Sequence, residues 1–430
     1  MRSAATLAIT LTLAVGLASS ALARTAATPS ARVGRAPNTP AERTLVGALN
    51  RGMRQAGSYS GAYVVDLTTA QALYSHNANT GRLPASVEKL YTTTTALQRF
   101  GGAGSLTTAI LGNGQLQGHT YVGTLYLRGG GDPTFGAASF DAANYGTGAT
   151  MQQLVSQLVS STGITTVRGT VVADETMFDA DRGTPATNNQ PSTEVEGELT
   201  GLAYDRGWAN VSGNALDAHP ALDAGLALVG ALRAAGVKVA TQTPVRSGLT
   251  PAGAAPLAEV SSPPMASLLS LTNTPSDNFF GEMLLKDIGA RFGAGGTTAA
   301  GAAIVRAQMA AKFGIHPRLN DGSGLSRYDL TTPVQVVTLL RAMAGTGTFT
   351  RSLAVAGETG TLQDEMRATY AQGRCRGKTG TLSDVSNVVG YCQARDGHTL
   401  AYAVMMNGVY PFYAHPIQNR MVVSIAKYGG

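Results

Sequence analysis

Pro84-Ala85-Ser86-Val87-Glu88-Lys89-Leu90-Tyr91 is the stretch on which the reading of this chain turns. A proline able to open a helix is followed by a serine and, one turn later, a lysine. The apolar positions Leu90, Tyr91, Ala96, Leu97 and Phe100 then describe a buried helical face that ends at Gly101-Gly102. Serine and lysine three apart at a helix start share one face, roughly 4.5 Å apart along the axis. A serine hydroxyl is a poor nucleophile until a base takes its proton, and a buried lysine with a lowered pKa can be that base. The free N–H groups of a helix start add a donor, Ser86 N–H, for a developing oxyanion. An ordinary capped helix carrying a surface lysine accounts for these residues at least as well, so the rest of the chain must decide.

Two further motifs follow in order. Ser276-Asp277-Asn278 comes after Thr272-Asn273-Thr274-Pro275, where the chain turns before a helix. A loop there can present Ser276 as a proton relay and Asn278 as a two-way amide for a substrate peptide group. Simple helix capping by Ser and Asp is the plain alternative, and both can hold at once. Lys378-Thr379-Gly380 sits on an expected strand, and its glycine lets a substrate backbone lie against the strand edge. Lys378 with the Thr379 and Thr381 hydroxyls can hold a terminal carboxylate, Thr381 N–H can complete an oxyanion hole, and Lys378 is the cation that would lower the pKa of Lys89. An edge strand protected by lysine explains the third motif alone. It does not explain the other two.

The trio resembles that of penicillin-binding proteins and serine β-lactamases. Further segments are similar to the DacB-like D-alanyl-D-alanine carboxypeptidase/endopeptidases: Gly130-Gly131-Asp132-Pro133-Thr134, Val171-Val172-Ala173-Asp174-Glu175, Thr274 to Phe279, Asp321-Gly322-Ser323-Gly324-Leu325-Ser326-Arg327, and Lys378 to Thr381 with Val385-Ser386 and Gly390-Tyr391. The resemblance runs from about residue 45 to the end. It implies that Ser86 is acylated, with Lys89 its base and Ser276 a relay. Asn278 would hold the substrate amide, and Lys378, Thr379, Gly380 and Thr381 its carboxylate. Asp132 and Arg327 match segments that shape the pocket for the dibasic residue of the peptide, although both also suit turn or structural roles. The implied substrates are peptidoglycan stem peptides, with β-lactams as covalent inhibitors and no cofactor.

The implied fold is α/β (α+β): a discontinuous β-lactamase/transpeptidase-like domain with a β-rich domain inserted between its first and second motifs. Ser86 and Ser276 are 190 residues apart, which leaves room for the insert. Patterning agrees with that division. Helical spacing covers residues 41–55, a strand covers 60–66 and its hairpin partner 73–75. Strands are expected over 106–111, 121–127 and 167–172, with helices over 151–159 and 221–235 among them. From Pro263 the chain reads as helical over 265–271, 278–288, 306–313 and 334–344. Strands follow over 376–381, 387–393 and 399–407, then a helix over 417–427. The expected organisation is a signal peptide (1–23), a flexible lead (24–40), the first part of the transpeptidase-like domain (41–105), the insert (106–256) and the second part (257–430).

Bulk properties set the compartment. With 43% hydrophobic and 13% charged residues the chain is globular rather than disordered. The net charge of +6 comes without a dense Lys/Arg run, so a nucleic-acid partner is not expected. Met1-Arg2, the apolar run 4–17 and Ala21-Leu22-Ala23 form a secretory signal too short to span a membrane, and the mature chain is expected to be exported with no anchor. The six histidines are scattered, and no metal site is expected. Cys375 and Cys392 are an even pair in an oxidising compartment. If Lys378 lies opposite Val389 in an antiparallel hairpin, Cys375 lies opposite Cys392, and a disulfide is expected. A class A β-lactamase needs a glutamate shortly after its second motif to activate water, and residues 283–357 contain none. A non-catalytic peptidoglycan-binding protein of the same fold is the other alternative.

Overall fold

The computed structural model describes residues 39–210 and 213–429, so the expected signal peptide and residues 24–38 of the lead lie outside the described residues. Thr39 and Pro40, expected in the lead, begin the fold instead. The Thr39 hydroxyl accepts the Glu42 N–H while the Glu42 carboxylate accepts the Thr39 N–H, a reciprocal cap that starts helix α1 (Pro40–Ala56). Strands β1 (Gly61–Asp66) and β2 (Gln71–His76) form the expected hairpin. The helix expected after Pro84 is divided: Ala85–Glu88 winds as a tighter 3-10 turn, and α2 (Lys89–Phe100) starts at the lysine.

Next come β3 (Thr107–Gln117), β4 (Thr120–Arg128), α3 (Ala138–Asn144), α4 (Met151–Thr162), β5 (Thr166–Asp174) and α5 (Pro220–Ala234). Short strands β6 (Lys238–Val239) and β7 (Val245–Ser247) lead to β8 (Ala255–Ser261). These strands form one sheet in the order β6-β5-β4-β3-β8, with β7 also on β5. This segment is less purely β than its texture suggested. β4 and β5 run parallel, which demands a crossover, and α4 supplies it. Leu154 of α4 and Leu228 of α5 pack with Leu125 and Val171 of the sheet in a separate core. β8 escaped the sequence reading because it is a mostly exposed edge carrying Pro256, which only an edge strand tolerates.

The second half supplies α6 (Met265–Asn273), α7 (Asn278–Phe292), α8 (Thr298–Phe313), α9 (Pro333–Met343), α10 (Gly347–Arg351) and the short β9 (Ala354–Val355). It closes with β10 (Cys375–Leu382), β11 (Val385–Gln393), β12 (Thr399–Asn407) and α11 (Pro411–Ala426). Helix α8 begins eight residues before the expected 306, because its first half is built from alanine and glycine rather than a periodic apolar stripe. Its Gly301 lies so close to α7 that a Cβ there would come 2.0 Å from the Leu285 carbonyl oxygen. Helix α11 likewise starts earlier than its interior Pro416 implied.

The main sheet is antiparallel throughout, in the order β2-β1-β12-β11-β10-β9. Both faces are covered, so its strands are buried on both sides. Tyr63, Val65, Tyr391 and Ala403 join the core with α2 and α6 to α9, while Ala62, Val64, Tyr402 and Val404 pack toward α1 and α11. β9 pairs only with Arg376 and Gly377 of β10, so from Lys378 onward that strand has a free edge.

The β10–β11 register places Lys378 opposite Val389 and Cys375 opposite Cys392, as expected. A disulfide joins these cysteines, whose Cα atoms are 4.1 Å apart. No free thiol should be titrated in the denatured, non-reduced protein. The Cys375→Ser/Cys392→Ser variant should lose about 2–4 kcal/mol of unfolding free energy in denaturant titrations, since a cross-link restricts the unfolded chain.

Candidate active site

Ser86 lies in a turn that other parts of the fold hold tightly. Ala85 adopts φ 47°, a left-handed conformation costly for a residue with a side chain. Two glycines press against this turn. A Cβ on Gly324 would come 1.9 Å from the Ala85 carbonyl oxygen, and one on Gly380 of β10 would come 2.4 Å from that of Pro84 and 3.2 Å from Ser86 N. The carbonyls of Leu83 and Pro84 accept from Asn387 Nδ2 at 3.0 and 2.7 Å, and Leu83 N donates to Asn407 Oδ1 at 2.8 Å. The result is a half-buried serine fixed against the Lys-Thr-Gly strand.

Lys89 is fully buried. Its Nζ lies 2.9 Å from Ser86 Oγ, 2.7 Å from Asn278 Oδ1 and 2.8 Å from the Ser323 carbonyl oxygen. Burial lowers its pKa from the ordinary lysine range, against the pull of the Glu88, Glu196, Asp277 and Asp321 carboxyls. Several acids beneath it are themselves pushed toward the protonated form. Burial raises Glu88 well above the usual carboxyl range, raises Asp321, and carries Glu282 to about 8 and Asp329 to about 11. These acids also shape the loop that holds Lys89. Glu282 Oε1 accepts the Gly322 and Ser323 N–H groups, and Asp321 accepts those of Gly324 and Ser326.

The second motif forms a strained turn ahead of α7. Ser276 has φ 72° and is half-buried, Asp277 caps the helix by accepting the Phe280 N–H, and Asn278 is the first helical residue. Residues far away in sequence hold this turn. Asn278 N donates to Glu196 Oε2 at 2.7 Å, and its Nδ2 donates to the Glu194 carbonyl at 2.8 Å. Arg206 forms an ion pair with Asp277, and its guanidinium lies over the rings of Tyr145, Phe279 and Phe280 at 5.1–5.3 Å. Sequence reading missed Glu194, Glu196 and Arg206 because nothing local marks their reach across the fold. Ser323 lies in a quoted segment, but its backbone carbonyl is the part that matters, and no side-chain motif signals that.

The third motif is on β10. Lys378 is fully buried, its Nζ donates to the Thr379 carbonyl at 2.9 Å, and burial followed by the nearby Lys89 charge holds its pKa well below the ordinary value. Strand alternation puts Lys378 and Gly380 on the Ser86 side and Thr379 and Thr381 on the other. Thr379 Oγ1 bonds Thr361 Oγ1 at 2.8 Å, and Thr381 is exposed.

The two weaker candidates separate. Arg327 is on the rim, where its Nη2 donates to Ser383 Oγ at 2.9 Å and Asp384 Oδ1 at 2.5 Å in the turn just beyond Thr381. Asp132 is 1% exposed, and its Oδ1 accepts the Thr134 N–H and O–H. Burial raises its carboxyl to about 7. Asp132 thus sits in a buried turn among residues 132–134.

Known proteins resemble this chain in sequence and in fold. The chain is 31% identical over 459 aligned residues to a D-alanyl-D-alanine carboxypeptidase of Actinomadura sp. (strain R39), covering 87% of this chain and 82% of that one. It is 28% identical to the carboxypeptidase DacB of Mycolicibacterium smegmatis, with the same coverage of both chains. The fold matches penicillin binding protein 4 (dacB) from Haemophilus influenzae with a TM-score of 0.73 at 19% identity, covering 88% of this chain and 99% of the other. Residues 48–196 and 214–428, which include all three motifs and most of the segment between them, match a single family, and the chain thus belongs to the D-Ala-D-Ala carboxypeptidase 3 (S13) family.

Proposed function

We propose that this protein is a serine D-alanyl-D-alanine peptidase that acts on peptidoglycan stem peptides outside the cytoplasm through an acyl-enzyme on Ser86. The carrying observation is the fully buried Lys89 amine 2.9 Å from Ser86 Oγ. In its neutral form Lys89 accepts the Ser86 proton as Oγ attacks the carbonyl carbon of the penultimate D-alanine. The N–H groups of Ser86 and Thr381 hold the oxyanion. The C–N bond then breaks, and the departing amine takes a proton relayed through Ser276. Water hydrolyses the ester and frees Ser86. Asn278 aligns the substrate amide, Lys378, Thr379 and Thr381 hold its carboxylate, and the free edge of β10 from Lys378 onward receives its backbone. Gly380 lets that strand lie against the Ser86 turn. Arg327 stands at the rim as a contact for the stem peptide, and Asp132 shapes a turn.

The chain divides in this reading into a transpeptidase-like body of residues 41–105 and 257–430, with the insert between them. The pairing of β8 with β3 supports carrying the insert on from 256 to Ser261, with the body resuming after that residue. No helix among the described residues is long and apolar enough to cross a membrane.

Ser86→Ala should abolish covalent labelling by a fluorescent penicillin while circular dichroism stays unchanged. Lys89→Ala should slow acylation by about 100- to 10,000-fold, the range a positioned base contributes. Undiminished labelling of Ser86→Ala would remove the mechanism.

A neutral lysine is needed, so the acylation rate should rise with pH as Lys89 loses its proton. Because burial lowers that pKa, the inflection should fall below 10.5, the ordinary value for a lysine. Stopped-flow acylation across a pH series reads it directly, and an inflection at or above the ordinary value would contradict the role of burial.

Penicillin should inhibit rather than be consumed. Its opened ring keeps the leaving amine tethered in the site, where it obstructs water. Glu196 is brought to the second motif by the fold, but its Oε2 already accepts the Asn278 N–H. It is therefore poorly placed to activate water, and the adduct should persist for minutes in intact-protein mass spectrometry. Loss of the adduct within seconds, with many antibiotic molecules consumed per enzyme, would establish a β-lactamase instead.

A further inference from the structure

Helices α1 and α11 pack side by side over one face of the main sheet. Where α1 ends and α11 begins, four aromatic side chains stand out in solvent: Tyr59, Tyr410, Phe412 and Tyr413 are 63–75% exposed. They are contiguous. The Phe412 and Tyr413 ring centroids are 5.4 Å apart and those of Tyr410 and Tyr413 6.4 Å. Tyr59 lies against Gly408, where a Cβ would come 3.4 Å from its ring. We propose that this face of the protein docks on an anionic phospholipid surface, with the aromatic cluster seated among the headgroups. The inference does not depend on the chemistry proposed at Ser86.

A contiguous apolar patch left in water marks a contact surface. Tyrosine suits a membrane boundary in particular, because its ring is apolar while its hydroxyl stays with water and headgroups. Charge decides the kind of lipid. Arg51 and Arg54 of α1, Arg420 of α11 and Lys427 at its end are exposed, and none is in an ion pair among the described residues. The one acid on either helix, Glu42, is buried in the Thr39 cap at the other end of α1.

Shape agrees with charge. Between the two helices runs a groove of about 420 Å³, where Arg51 and Arg420 stand beside Ile417, Met421 and Val423. Cations next to apolar side chains match a phospholipid, whose anionic phosphate adjoins its methylenes. Binding to such a surface draws on buried apolar area and electrostatic attraction together. Helices α2 and α7, which carry Lys89 and Asn278, pack on the opposite face of the main sheet, so docking leaves that side open.

Sedimentation with sucrose-loaded vesicles tests this on protein purified from the exported fraction. The wild-type protein should pellet with vesicles of phosphatidylcholine and phosphatidylglycerol in equal parts, and stay in the supernatant with phosphatidylcholine alone. Salt at about 1 M should release it, since the screening length then falls to about 3 Å. Arg51→Gln/Arg420→Gln should weaken partitioning by about 10-fold or more, because each basic residue at an anionic surface is worth roughly fivefold. Tyr410→Ser/Phe412→Ser/Tyr413→Ser should abolish pelleting, with the circular dichroism of both variants unchanged. If the aromatic variant fails to fold, the arginine variant and the lipid comparison decide without it. Wild-type protein that stays in the supernatant, or pellets equally with neutral vesicles, would overturn the proposal, as would undiminished pelleting of either folded variant. A dimer in analytical ultracentrifugation that the aromatic substitutions disperse, without any pelleting, would assign the face to a second copy of the chain instead.

Discussion

The Lys89 amine has no exposed surface and is surrounded by the Ser86 hydroxyl, the Asn278 amide oxygen and the Ser323 carbonyl. Desolvation disfavours the charged form, and these three partners keep the amine from being an unpaired polar group in the interior. A permanently ionised partner would defeat this arrangement by locking the proton on nitrogen. The acids below avoid that because burial keeps Glu88, Glu282 and Asp329 toward the neutral state. Much of the surrounding architecture serves to maintain those contacts. Gly324 and Gly380 permit the close approach of loop and strand, and Asn387 and Asn407 fasten the chain just before Ser86.

The segment between the first two motifs is part of the same device. Its Glu196 and Glu194 hold both ends of Asn278, while Arg206 binds Asp277 and lies under three aromatic rings. Two of those rings, Phe279 and Phe280, belong to the first turn of α7 itself. A cation placed there fixes the angle at which the helix leaves the turn, and so fixes where the Asn278 amide points. The inserted sheet has its own core, yet the stretch that follows β5 supplies the residues that hold the second motif.

Much of this was legible in the residues. Long periodic or alternating segments such as β1, β11 and β12 declared themselves, because two buried faces leave little choice but apolar side chains. The disulfide followed from register arithmetic across one hairpin. What stayed hidden has a common cause. β8 is mostly exposed, the first half of α8 packs through small residues, and the 3-10 turn before α2 differs from an α-helix only in winding. At the site, side chains with motif spacing were found, whereas the Ser323 carbonyl and the Arg206 cation act through distance in space. The Asp132 segment was legible as a turn as well as a contact, and its carboxylate does accept from Thr134.

The order of strands in the main sheet carries a consequence for how the chain is made. β1 lies between β2 and β12, and α1 packs beside α11 over the same face. The earliest elements to leave the ribosome therefore wait for the latest before their core can close, and loop-closure entropy makes such distant pairings slow. The sheet of residues 107–261 has no such delay, since its partners are nearer in sequence and its core is its own. Vectorial synthesis or translocation thus favours a half-assembled species: a finished inner module flanked by two open halves of a body, with Ser86 already translated and β10 still to come. Until β10 arrives, the Ser86 turn lacks the strand whose Gly380 presses against it, so the geometry around Ser86 is completed only late in synthesis.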